Sequence, residues 1–285
     1  MSTTHPPGQS HHFQGADQTR LHYRAWPADS PRAALLVIHG LFEHSGRYGE
    51  LAAALADAGV ATYGLDLRGH GVSQGRRGHV QRFEQFLEDV DRFHHEVMEQ
   101  VGGGIPRFLL AHSMGGLIGI RYLEAREPAL AGAIFTSPWL GLAQDIPGWQ
   151  RLLARGLSRV LPIAPYPSGI DADQLSHDPE RVANYRDDPL IFSSLTIRLG
   201  TEVEDAFDEA FRERDRIRHD LPRLFLVAGA DSVVDSDRSV ELARSLTGDD
   251  VTLQLLDGYY HEVLQEVDRS AVMAEIREWI EARLP

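Results

Sequence analysis

The sequence predicts an α/β fold with a mostly parallel central sheet, helices on both faces and an inserted helical cap. Two observations carry this. Continuous apolar runs at Leu35-Leu36-Val37-Ile38, Val60–Leu65, Phe108-Leu109-Leu110 and Ile134-Phe135-Thr136 alternate with segments of helical period. Apolar strands separated by helices are covered on both faces. The alternation stops near Pro138 and resumes at Leu224-Phe225-Leu226-Val227, so an insertion interrupts one sheet.

Residues 9–26 read as an antiparallel hairpin at a sheet edge. A helix is expected through Tyr48, Leu51 and Leu55, and a longer one with Phe83, Phe86, Leu87, Val90, Phe93 and Val97 on one face. Another begins near Met114 after the strand at 108–110. Residues 138–220 hold several prolines, few strand-like runs and two helical stretches. The strand at Val251–Leu256 and a helix bearing Val272, Ile276, Trp279 and Ile280 close the chain. The expected division is 1–137 and 221–285 as two parts of one core, with 138–220 as the cap.

The 285 residues are 42% hydrophobic and 25% charged, enough to bury a large core. The absence of cysteine excludes disulfides, zinc–thiolate sites and a cysteine nucleophile. A net charge of -14 disfavours nucleic acid, whose phosphates need a basic footprint. Residues 1–9 are polar and proline-bearing, so no secretory leader is expected there, no run approaches a membrane span, and the expected compartment is cytoplasmic. The pairs His11-His12 and His94-His95 are neighbours whose side chains diverge on a strand or helix, so no metal site is expected.

The segment Leu109-Leu110-Ala111-His112-Ser113-Met114-Gly115-Gly116 lies at a strand-to-helix junction. Small residues two before and two after a serine permit the strained turn that projects a nucleophile above a sheet. Ala111 stands where that pattern usually has glycine. The competing reading of Ser113 is an ordinary helix N-cap. His39-Gly40-Leu41 follows an earlier strand, in the place from which such folds draw one oxyanion donor. The backbone N–H groups of Leu41 and Met114 are therefore the expected pair.

A nucleophilic serine needs a base, and the acid and histidine should follow it in that order. Asp231 comes just past one strand end and His261 just past the next. Asp235, Asp237 and Asp257 are rivals for the acid, and the strand-end turn favours Asp231. His219 and His177 compete poorly with His261, being remote from strand ends.

With these residues in place, the chain resembles the monoglyceride lipase and lysophospholipase branch of α/β-hydrolases. The matching stretches are His39-Gly40-Leu41-Phe42-Glu43-His44-Ser45-Gly46-Arg47-Tyr48, Asp66-Leu67-Arg68-Gly69-His70-Gly71-Val72-Ser73 and Gly75-Arg76-Arg77-Gly78-His79-Val80. They continue with the serine segment, Ser137-Pro138, Asp188-Pro189-Leu190-Ile191 and the acid and histidine loops. The resemblance covers nearly the whole chain. It implies hydrolysis of a single-acyl-chain lipid ester through an acyl-enzyme on Ser113, with no cofactor. It also implies that Glu43 and Arg47 shape the alcohol side of the pocket. Leu264 stands where monoglyceride lipases can carry a second polar residue, and the head group stays open.

Within 146–161, Arg151, Arg155 and Arg159 share one helical stripe, and Ile146, Trp149, Leu152, Leu153, Leu157 and Val160 share the other side. Docking on an anionic membrane is one reading. The favoured one has the apolar face packed on the core or lining an acyl tunnel, with solvated arginines. The acidic segment 202–215 reads as a solvated cap helix. Carboxylesterase, thioesterase or peptidase activity on the same residues is the enzymatic alternative, and a catalytically silent binding protein the non-enzymatic one. The oligomeric state is not readable from the sequence.

Overall fold

The computed structural model describes residues 7–98, 104–143, 146–248 and 250–285; residues 1–6 of the polar N-terminal stretch lie outside these. In chain order the elements are β1 (Gln9–Gln14), β2 (Arg20–Trp26), β3 (Ala33–Ile38), α1 (Gly49–Ala56), β4 (Val60–Leu65), α2 (Glu84–Glu96), β5 (Arg107–His112), α3 (Met114–Arg126) and β6 (Gly132–Thr136). They continue with α4 (Gly148–Val160), β7 (Pro165–Pro167), α5 (Pro179–Asp187), β8 (Ser194–Thr196) and α6 (Ile197–Glu213). The last are β9 (Arg223–Ala228), α7 (Ser236–Ser245), β10 (Val251–Leu256) and α8 (Arg269–Glu281).

Eight strands form one sheet in the order β1-β2-β4-β3-β5-β6-β9-β10. β1–β2 and β2–β4 are antiparallel, and the remaining pairs are parallel. The N-terminal hairpin thus lies at one edge, as expected. β3 is flanked by β4 on one side and β5 on the other, so the chain reverses its direction of travel there. Loops leaving the carboxyl ends of strands at such a reversal open a crevice.

Side chains alternate across the sheet. Leu35, Val37, Phe108 and Leu110 pack with Leu51 and Leu55 of α1 and Ile276 and Ile280 of α8 on one face. Leu36, Ile38, Leu109 and Ala111 pack with Phe86, Val90 and Phe93 of α2 and Leu117 and Ile120 of α3 on the other. Both faces are apolar because both are covered, which is why the strands read as unbroken apolar runs.

Between β6 and β9 the structure differs from expectation in three ways. Among the described residues it holds three α-helices rather than two helical stretches, together with the short antiparallel ribbon β7–β8. The acidic segment is not a solvated helix: α6 buries Leu199, Val203, Ala206, Phe207 and Ala210 in the main core. Those residues recur at helical spacing behind the acids, a stripe that the charge run masks. Finally, two of the α4 arginines, though solvated as expected, also reach toward α6, where Arg155 meets Asp205 at 2.5 Å and Arg151 lies 3.8 Å from Glu204. The apolar side of α4 is only partly covered, with Trp149 66%, Leu152 73% and Val160 76% exposed. Among the described residues no helix is long and apolar enough to cross a membrane.

Candidate active site

β5 delivers Ser113 to the start of α3 with φ +53° and ψ -120°, a conformation sparsely populated by residues other than glycine. The turn demands small neighbours. A Cβ at Gly115 would lie 2.3 Å from the Ile38 carbonyl oxygen, and one at Gly116 would lie 2.7 Å from Pro138. Ala111 carries a methyl where glycine is usual, and the room comes from α3: a Cβ at Gly119 would stand only 3.0 Å from that methyl. Phe42 and Ser137, which follow β3 and β6, also have positive φ. Three strained residues therefore flank one sheet edge.

His261 Nε2 is 2.9 Å from Ser113 Oγ, and His261 Nδ1 is 2.7 Å from Asp231 Oδ2. A carboxylate only accepts, so Nδ1–H donates to Asp231 and Nε2 is left to accept from the serine hydroxyl. The other Asp231 oxygen accepts the N–H groups of Val233 and Val234 at 2.8 and 3.0 Å. Burial would lower the His261 pKa, but Asp231, joined by Glu262 and Glu43, outweighs it and the pKa rises above the ordinary 6.5. Burial pushes the Asp231 carboxyl up, yet His261 and the two N–H groups hold it below its ordinary value.

The rival residues are occupied elsewhere. Asp235 caps α7 by accepting the Arg238 N–H at 3.2 Å, Asp237 sits in that helix's first turn, and Asp257 is exposed beyond β10. His219 bonds to Thr247 and His177 to Glu266. His11 stacks on Tyr23, and His94 bonds to Tyr122.

The loop after β3 is held from several directions. His39 Nε2 accepts the Leu67 N–H at 3.0 Å, so its Nδ1 donates to the Gly40 carbonyl at 2.7 Å. Burial holds His39 below the ordinary histidine value, and therefore neutral. Glu43 Oε1 accepts the Gly40 N–H at 2.6 Å and the Tyr48 hydroxyl at 2.9 Å. Asp66 accepts the Ser45 and Val72 N–H groups, each at 2.8 Å, and faces His22 at the same distance. A Cβ at Gly71 would fall 2.2 Å from this carboxylate, which explains the glycine in Asp66-Leu67-Arg68-Gly69-His70-Gly71. Among the described residues, the N–H groups of Leu41 and Met114 have no protein acceptor.

Arg47 donates to Glu43 at 3.0 Å and clamps Glu262 through two bonds of 2.5 and 2.6 Å, and its guanidinium lies 5.0 Å from the Tyr185 ring. Burial would raise the Glu43 pKa, but Arg47 and the neighbouring histidines bring it down to about 2. Glu262 and Tyr185 were missed in the sequence. Glu262 had one usable signal, an acid directly after the histidine, but its partner lies 215 positions away.

Above these residues lies a cavity of about 490 Å³. Ser113, His261, Glu43 and Glu262 line it, along with Trp139, Trp149, Leu153 and Leu157 from the β6 loop and α4, and Val203 and Phe207 from α6. A small polar cluster beside a larger apolar wall suits an elongated amphiphile.

The family described as serine aminopeptidase, S33, matches residues 29–268. The monoacylglycerol lipase of Mycolicibacterium smegmatis is 31% identical, covering 96% of this chain and 97% of that one. Human monoglyceride lipase is 34% identical, over 95% and 90% of the two chains. The crystal structure of Paleococcus ferrophilus monoacylglycerol lipase superposes with a TM-score of 0.83 at 33% identity, covering 92% of this chain and 99% of that one. The chain belongs to the serine aminopeptidase S33 family of α/β-hydrolases, in its monoacylglycerol lipase branch.

Proposed function

We propose that the protein is a serine ester hydrolase that releases the fatty acid from a monoacylglycerol through an acyl-enzyme on Ser113. The observation that carries this reading is the chain of bonds from Ser113 Oγ through His261 to Asp231, opening into a largely apolar cavity. His261 Nε2 takes the serine proton as Oγ attacks the acyl carbonyl. The oxyanion rests on the N–H groups of Leu41 and Met114, and losing one such donor typically costs about 3 kcal/mol in barrier. Asp231 stabilises the imidazolium, which then protonates the departing glycerol oxygen. Water repeats the sequence and frees the acid.

Residues 138–220 act as a cap whose α4 and α6 give the acyl chain its apolar wall. Trp149 and Leu153 are both exposed and lining the cavity, so they stand at its mouth. Leu152, Val160, Leu161 and Ile163, on α4 or just after it, are exposed as well. The cap's contact is the lipid surface from which substrate enters, made by apolar side chains rather than by Arg151 and Arg155, which already face the acids of α6. Fatty-acid release from a monoacylglycerol, compared with a short p-nitrophenyl ester and with Ser113→Ala, tests the assignment. Cleavage of the short ester alone would leave a carboxylesterase reading and remove the lipid one.

A further inference from the structure

The polar side of the cavity has an uneven charge arrangement. Glu43 and Glu262 line it, whereas Arg47 lies behind them and is not part of the wall. One Arg47 nitrogen donates to both carboxylates and the other to Glu262. Two carboxylates therefore share one guanidinium, and it is the carboxylate residues rather than Arg47 that line the wall. Glu262 directly follows His261, the residue proposed to protonate the leaving group, so this wall stands where the alcohol departs.

We propose that Glu262, by clamping Arg47 behind the cavity wall, makes the alcohol side of the pocket selective for neutral, hydroxyl-bearing leaving groups and hostile to phosphate. The proposal rests on the ester hydrolysis at Ser113 argued above. Its chemistry is simple. Carboxylates only accept hydrogen bonds. Glycerol hydroxyls donate to them, and the Tyr185 phenol, which also lines the cavity, can exchange bonds with the same hydroxyls. A phosphate monoester brings acceptors and negative charge to acceptors of the same sign, and the Arg47 guanidinium beside them is already engaged by both; the lining Arg151 belongs to α4, where it faces Glu204. Selectivity of this kind arises from a repulsive element as much as from an attractive one. It separates monoacylglycerols from lysophosphatidates of the same acyl chain, which the apolar wall alone treats alike.

The test compares 1-octanoylglycerol with 1-octanoylglycerol 3-phosphate, an acyl chain short enough to keep both substrates dispersed. Wild type should favour the glycerol ester in kcat/KM. Glu262→Gln keeps the shape, removes one negative charge and leaves Arg47 only partly clamped. The ratio of the two kcat/KM values should then fall at least about tenfold, the discrimination that roughly 1.4 kcal/mol provides. A merely structural role for Glu262 would lower both values together. An unchanged ratio in a folded Glu262→Gln overturns the inference while leaving the hydrolase reading intact. Should that variant not fold, wild type alone decides. A wild-type kcat/KM for the phosphate ester equal to or above that for the glycerol ester overturns the proposal. Failure of wild type to cleave 1-octanoylglycerol would instead remove the reading on which the proposal stands.

Discussion

Ser113 is held in a backbone conformation that an isolated serine avoids, and the surrounding glycines are the reason it persists. Gly119 is the least expected of them. Its missing Cβ makes room for Ala111 on the facing strand, so the two positions should be coupled. Gly119→Ala should cost about 1–3 kcal/mol of stability, as overpacked cores do, and adding Ala111→Gly should recover part of it. Chemical denaturation of the single and double variants measures that coupling, and strict additivity would exclude it. The pH dependence follows from His261. The proposed base works neutral and its pKa is raised by Asp231 with Glu262 and Glu43, so kcat/KM should fall as pH drops through a value above 6.5. Asp231→Asn should lower kcat by about 10⁴ by releasing the required tautomer. An acid limb at or below the ordinary histidine value would contradict the geometry.

At the scale of elements, the parallel strands were readable because burial on both faces leaves unbroken apolar runs, and Val60–Leu65 coincides with its strand to the residue. Serine, acid and histidine loops were readable as strand ends in chain order. The segment between β6 and β9 was not. Its helices are amphipathic in ways that sequence period alone cannot assign to a partner. In α6 the apolar stripe faces the core, whereas in α4 the similar stripe is largely open. The contact between them is made by the polar side, through Ser158 and Thr201 at 3.0 Å and the arginine–acid pairs. The link between Arg47 and Glu262 was invisible for a related reason, since it joins loops brought together only by the sheet. A helix that buries one small residue is less stable than one rooted in the core. Amides of α4 should therefore exchange with deuterium well before those of α6, and equal protection of both would overturn this description of the cap.

For the whole molecule, the arrangement is a rigid sheet carrying Ser113, Asp231 and His261 at one edge, with an apolar-rimmed segment over it. The net charge of -14 makes general attraction to anionic surfaces unfavourable, so vesicle binding should depend on Trp149, Leu152 and Val160. Replacing these three with serine should weaken binding to neutral vesicles, as measured by flotation, while replacing Arg151, Arg155 and Arg159 should change it little. The reverse pattern would restore electrostatic docking. The most direct test of the central claim is fatty-acid release from a long-chain monoacylglycerol by wild type and by a folded Ser113→Ala variant. The account predicts turnover well above that of a short p-nitrophenyl ester in wild type and none above background in the variant. Turnover that survives loss of the serine hydroxyl would contradict it.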